Sequence, residues 1–331
     1  MMNLNQTIKS LLVLALVGCS SNVDDNKTVT VYVSADEQIA REVFDLFTKK
    51  TGIEVAWVGD TEASKTTALV QRILREKNDP VADVFWSSEI LGTIQLTKQN
   101  AFTSHNSTSA TAWPREFRDE EFSWFAFSPR ARVIAYNPDK TLPSELPETW
   151  WEYSNSAMAD PRFGTTGTHI AVLSLYPELF KKFVSTRSTI PLLGGNAATV
   201  QAVIDGSAKY AMTDSDDVHA GIARGASLAM HYPLHHEGKD GGTLLIPNTV
   251  AIIRNCLHPD TASIFVDFLL SDQVATHLAE STSHNIPLQP TVSAMYPELR
   301  VENPLAVSFV QAEEAKREAI QELMKALRVD E

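Results

Sequence analysis

Thr28-Val29-Thr30-Val31-Tyr32-Val33-Ser34-Ala35-Asp36 decides the fold. Six β-branched or aromatic-rich positions in a row read as a strand, and Ser-Ala-Asp stops it with the residues that begin helices. Beyond it, Ile39, Val43, Phe44 and Phe47 recur at helical spacing and give one apolar face. Thr51-Gly52 closes that helix, with glycine in the expected place just past its end. Ile53-Glu54-Val55-Ala56-Trp57-Val58 is a second strand, a helix from about Thr66 to Lys77 carries Leu69, Val70, Ile73 and Leu74, and Ala82-Asp83-Val84-Phe85-Trp86 is a third strand. Strands alternating with helices in this way predict a parallel, doubly wound sheet.

Further along, Ser104 to Ala112 reads as a surface loop, and Trp124–Phe127 and Arg132–Asn137 read as two strands that run between lobes. Pro138 opens a new segment. A second α/β unit runs from about Asn155 to Leu234, with helices His169–Phe183 and Ala197–Asp205 and a strand Tyr210-Ala211-Met212. Leu244–Ile246 and Val250–Ile253 predict a return crossing. Helices Thr261–Leu270, Asp272–Glu280 and Pro304–Leu327 end the chain. A chain that enters a second α/β unit and comes back predicts two lobes, residues 28–130 with 250–331 and residues 131–249. A ligand cleft is expected between them.

The start of the chain is a targeting segment. Lys9 precedes the apolar run Leu11-Leu12-Val13-Leu14-Ala15-Leu16-Val17, which is too short to span a bilayer and is read as a secretory signal, residues 1–18. Leu16-Val17-Gly18-Cys19 resembles a lipobox, so Cys19 is expected to carry lipid and residues 19–27 to form a tether. With Cys19 used in this way, the only other cysteine, Cys256, has no disulfide partner. The mature chain, about 310 residues, is long enough for two cored domains. A formal net charge of −13 argues against nucleic acid and against broad adhesion to anionic lipid, leaving the lipid as the membrane link.

Several motifs place polar groups at strand ends, where open α/β sheets bind ligands. Ser34, Asp60, Ser87, Ser88 and Glu89 fall there, each also readable as a cap or turn residue. Gly164-Thr165-Thr166-Gly167-Thr168 precedes an apolar helical run, and free N–H groups at a helix start favour an anion, unless the segment is only an N-cap. Thr213-Asp214-Ser215-Asp216-Asp217 lies between a strand and an expected helix, Val218 to Arg224. It divides between ligand contact and capping. His235-His236-Glu237-Gly238 reads as an exposed loop, and Trp86 is the aromatic best placed to pack on a ligand. No nucleophile elbow, P-loop or CxxC pair occurs.

Val31–Glu37, Thr51–Val55, Ala82–Trp86 and Thr213–Asp217 together resemble the iron(III)-type family of bacterial extracellular solute-binding proteins, over about Thr28 to Leu288. The resemblance implies a two-lobed type II periplasmic-binding-protein fold, each lobe a doubly wound sheet flanked by helices. It implies an ABC permease and its ATPase as partners, no catalysis, no cofactor, and a monomer in the periplasm or cell envelope. Ferric members use a tyrosine pair after a short strand of the second lobe, and the matching place here is Asp216-Asp217. Carboxylates are hard donors that also suit hard cations, so the metal ligands expected are Asp216 and Asp217. The family's companion-anion loop matches Gly164–Thr168. The strand-end and helix-start positions together with the resemblance give the expected ligand set: Ser34, Asp60, Ser87, Glu89, Gly164, Thr165, Thr166, Thr168, Asp214 and Asp216. The cargo expected is iron(III), or another metal, with an anion. The alternatives are a phosphonate or phosphate ester, a metal-dependent hydrolase in the same cleft, and a ligand sensor.

Overall fold

A computed structural model of the chain describes residues 27–60, 66–110, 113–153, 156–186, 192–236 and 241–328. The expected signal, the lipidated Cys19 and all of the tether except Lys27 lie outside them. The first βαβ unit is β1 (Thr28–Val33), α1 (Glu37–Thr51) and β2 (Glu54–Gly59), followed by α2 (Thr67–Arg75), β3 (Val84–Ser87), α3 (Ile90–Lys98) and β4 (Phe102–Thr103). Gly52 ends α1 at φ 73°, a conformation that a side chain would strain. A long β5 (Phe125–Tyr136) leads into β6 (Ser156–Ala159), α4 (Gly164–Ser174), α5 (Pro177–Ser185), β7 (Leu192–Leu193), α6 (Asn196–Asp205), β8 (Tyr210–Asp214), α7 (Ser215–Ala223) and β9 (Ala229–His231). The chain returns along β10 (Leu245–Ile253) and finishes with α8 (Pro259–Leu269), α9 (Asp272–Glu280), α10 (Pro290–Ser293) and α11 (Phe309–Arg328).

The strand order is β2-β1-β3-β10-β5-β8-β6-β7, with β4 on β10 and β9 on β5. Two parallel sets, β2-β1-β3 and β8-β6-β7, flank the antiparallel pair β10–β5. Strand β5 belongs to both halves: Phe125 to Ala131 pairs with β10, and Arg132 to Tyr136 pairs with β8. The two short strands expected on either side of Pro129 are therefore one strand. The two expected around Pro247 are also one. Phe127 faces Asn248 and Arg130 faces Ile246, so Ser128 and Pro129 oppose Pro247 alone, a bulge where neither proline has an N–H to give the ladder. The Asn248 amide spans the gap by donating to the Ser128 carbonyl at 2.8 Å. The bulge sits where the chain passes between halves, the natural place for a hinge.

Apolar periodicity builds the cores. In the first half Phe44 and Phe47 of α1 meet Phe265 of α8 at ring distances of 5.9 and 4.9 Å. In the second half Ile134, Met158, Ile170 and Met212 are buried together. The helix expected over His169–Phe183 is two, because Pro177 has no N–H to continue α4 and instead starts α5. Helix α11 begins at Phe309, not at Pro304, and it packs on both halves. Phe309 and Ala312 join the core with Phe85 and Phe102, whereas Ala319 and Leu323 join the one with Met158. Lys98 of α3 also pairs with Glu313 and Glu314 of α11, at 2.5 and 3.1 Å. Leu323 is fully buried. Leu323→Ala is expected to cost about 2–5 kcal/mol in urea unfolding, with loss of α11 packing on the second half.

Candidate ligand-binding cleft

The carboxyl ends of β1 and β3 and the starts of α4, α6 and α7 face one another across a cleft of about 230 Å³. On the first bank Ser34 is anchored by its N–H to the Trp86 carbonyl at 3.0 Å. Its hydroxyl accepts from the Ser88 N–H and the Thr66 hydroxyl, both at 2.9 Å. Ser34 thus braces the wall from behind, and Ser88 reaches the cleft. Trp86 packs against Phe44 and Phe127 and lines the cleft. Asp36 caps α1, accepting from the Gln38 N–H at 2.9 Å, and also lines the space.

The second bank is built from helix starts. Gly164 opens α4 at φ 57°, in the left-handed region. Gly167 follows because a Cβ there would lie 2.6 Å from the Pro161 carbonyl oxygen. The Gly164, Thr165 and Thr166 part of the expected anion loop lines the cleft, as the first turn of the helix and not as a loop before it. Gly194-Gly195-Asn196 brings the start of α6 to the same place, and Asp214, Asp216 and Asp217 bring that of α7, which begins at Ser215, ahead of the expected Val218.

At the centre is Asp214, 1 % exposed. It accepts from Arg132 Nη1 at 2.8 Å, from the Thr165 hydroxyl at 2.6 Å and from Asn196 Nδ2 at 2.9 Å, with Arg130 Nε at 3.4 Å. Burial pushes the Asp214 pKa up. The two guanidinium groups and the Thr165 hydroxyl push it down further, and the carboxyl is held below the usual carboxylate range. Arg130 also lies 3.3 Å from Asp216 Oδ2 and donates to the Ser88 carbonyl of the opposite bank. Burial alone would lower the Arg130 pKa, but Asp216, Asp214 and Asp217 raise it, so the guanidinium stays charged. One oxygen from each of Asp214, Asp216 and Asp217 lies within 4.8 Å of the others. Among the described residues, five carboxylates line the cleft (Asp36, Asp160, Asp214, Asp216 and Asp217) against the two guanidiniums of Arg130 and Arg224, and no tyrosine or histidine lines it.

The cleft therefore takes in Gly164, Thr165, Thr166, Asp214 and Asp216 of the expected ligand set, together with Asp217, but the others lie elsewhere. The Ser87 hydroxyl closes its own turn, donating to the Glu89 carbonyl at 2.6 Å. Glu89 caps α3 through the Leu91 and Gly92 N–H groups, and Thr168 is 2.9 Å from the same carboxylate. This Thr168–Glu89 bond crosses between the halves. Asp60 follows the end of β2 and is not among the residues that line the cleft. His235 is fully buried instead of exposed, with its ring 5.1 Å from that of His169, and burial, with His236 and Arg132, pushes its pKa down to about 3. Residues 237–240 of the expected loop are outside the described residues. Arg130, Arg132, Asn196 and Asn248 are the contributors that motif reading missed. The signal for the arginines was present: Arg130-Ala131-Arg132 puts two cations on one side of an otherwise apolar strand.

Two α/β halves, joined by a bulged strand pair and holding a polar cleft at their strand ends, define a two-lobed binding protein. The sequence pattern of the bacterial extracellular solute-binding protein family matches residues 29–281, and the chain belongs to that family. It is 26 % identical over 303 residues to the major ferric iron-binding protein of Neisseria meningitidis, covering 87 % of this chain and 88 % of the relative. It is 24 % identical over 303 residues to iron uptake protein A1 of Synechocystis, covering 82 % and 80 %. Among solved structures, iron-bound HitA from Pseudomonas aeruginosa superposes with a TM-score of 0.79 at 20 % identity, covering 90 % of this chain and 99 % of that one. This likeness establishes the two-lobed periplasmic-binding fold. Asp214→Asn leaves buried Arg132 without its counter-charge and is expected to cost about 3–5 kcal/mol in chemical denaturation.

Proposed function

We propose that this chain is the cell-envelope receptor of an ABC-type importer. It captures iron(III) between its lobes and hands it to a permease driven by a cytoplasmic ATPase. The supporting observation is the placing of the Asp214–Asp216–Asp217 carboxylates opposite the start of α4 in one cleft whose lining is net negative. Hard carboxylate oxygens match a hard cation. The names of the relatives above point to the same cargo. Asp214 is consumed by its arginines and positions the others, and Asp216 and Asp217 face the ion. The Gly164–Thr166 N–H groups receive a small companion anion, which completes the coordination sphere and offsets the ion's charge. A ligand that touches both banks favours the closed arrangement, and the β5–β10 bulge absorbs the motion. An excess of carboxylates disfavours a phosphate ester as the sole ligand, since it would meet like charge on most sides. Lipid on Cys19 would hold the monomer at the membrane.

The test is equilibrium dialysis of iron-free mature protein against ferric citrate, with bound iron quantified and unfolding followed. Iron at 100 times its Kd is expected to add about 2.7 kcal/mol of stability. Asp216→Asn combined with Asp217→Asn is expected to weaken binding by about tenfold or more. Because no tyrosine lines the cleft among the described residues, the loaded protein is expected to lack the strong visible band of iron–phenolate coordination. Stabilisation by phosphate esters without retention of iron contradicts the proposal.

A further inference from the structure

At the rim of the cleft two histidines from different lobes meet. His219 is on α7 of the second lobe, and His284 is in the turn that follows α9 of the first. Their ring centroids are 4.7 Å apart, with the planes inclined at 52°. An ion with metal–nitrogen bonds of about 2.0–2.1 Å and tetrahedral angles holds two ligand nitrogens about 3.4 Å apart, a spacing that rings at this separation reach by side-chain rotation. The second ring nitrogen of His284 is already committed: Nδ1 lies 3.0 Å from the Ala279 carbonyl oxygen. That contact makes Nδ1 the protonated nitrogen and leaves the Nε2 lone pair for a ligand, the arrangement by which proteins orient metal-binding imidazoles. The backbone reinforces the aim. His284 has φ 45°, in the left-handed region that L-residues rarely adopt, and such conformations concentrate at functional positions. Thr282, Ser283 and Asn285, its neighbours, line the cleft itself.

We propose that His219 and His284 form a second metal site, distinct from the carboxylate cluster, that takes a divalent transition ion such as zinc or copper(II) and ties the two lobes together at the cleft rim. The donor chemistry separates the two sites. Imidazole nitrogen suits zinc and copper(II), whereas the carboxylates of Asp216 and Asp217 suit harder ions. Solvent fills the remaining positions, so the site binds reversibly and responds to the supply of the ion. The proposal does not depend on the identity of the cargo.

The test is calorimetric titration of zinc into tag-free, iron-free mature protein, beside three variants. His284→Asn keeps a residue that tolerates the left-handed backbone, and His219→Gln keeps a polar helix former. The third variant carries Asp216→Asn and Asp217→Asn. Wild type is expected to bind one zinc ion per chain, each histidine variant to bind about tenfold or more weakly, and the aspartate variant to keep wild-type zinc affinity. Metal-free unfolding curves show whether each variant is folded. If a histidine variant is not, electron paramagnetic resonance of the copper(II) complex of wild type decides, with two equatorial nitrogens expected. Wild type that binds no zinc, histidine variants that bind it normally, a loss confined to the aspartate variant, or a copper spectrum without two nitrogens overturns the proposal.

Discussion

The buried ion pair between Asp214 and Arg132 is the constraint from which the rest of the cleft follows. A guanidinium that is 0 % exposed and a carboxylate that is 1 % exposed are tolerated only because each is matched. Strand register makes the match, since Arg132 of β5 lies directly opposite Asp214 at the end of β8. Once Asp214 is fixed, its remaining acceptor capacity gathers Thr165 from α4 and Asn196 from α6, so three helix starts are tied to one carboxylate. Arg130, two residues earlier on the same face, then balances Asp216 and reaches the Ser88 carbonyl on the opposite lobe. Of the acids at the start of α7, Asp216 is held by Arg130 and by the Asp217 N–H, and both Asp216 and Asp217 line the cleft.

Two features of the fold bear on the closure proposed for ligand capture. The β5–β10 pair is continuous enough to hold the halves together, and its bulge at Pro129 and Pro247 concentrates any bending in a few residues. Helix α11 is buried at one end in each half, which limits how far the lobes can separate. Between these, the Thr168–Glu89 hydrogen bond links the lobes directly. Ligand binding has only to bias this balance, because closure needs no more than a difference in affinity between the two arrangements.

Much of this was legible in the sequence because it is local. The β1–α1–β2 unit followed from a six-residue strand and a 3.6-residue apolar repeat, and the Gly52 cap marked its helix end. The Gly164–Thr166 turn and Asp214–Asp217 stood out because small and acidic residues gather at helix starts. The rest depended on partners distant in sequence. Pro129 and Pro247 read as strand breaks, and only their mutual opposition turns them into a bulge within continuous strands. Ser87, Glu89 and Thr168 sit at the expected strand and helix ends, yet their polar atoms are taken by nearer backbone groups or by each other. His235 looked like loop because its neighbours are glycine and charge, whereas the aromatic surroundings that bury it come from Trp150, His169 and Tyr176. The arginines on β5 were visible as charges but acquired meaning only with Asp214 opposite.

Diffraction at the iron absorption edge, from crystals of the mature protein grown with ferric citrate, is the most direct measurement. Capture by the carboxylates predicts a single strong anomalous peak between Asp216 and Asp217, with non-protein density reaching the Gly164–Thr166 amides and both lobes closed on it. A peak remote from those aspartates, or a cleft filled by an anion with no iron, would contradict it.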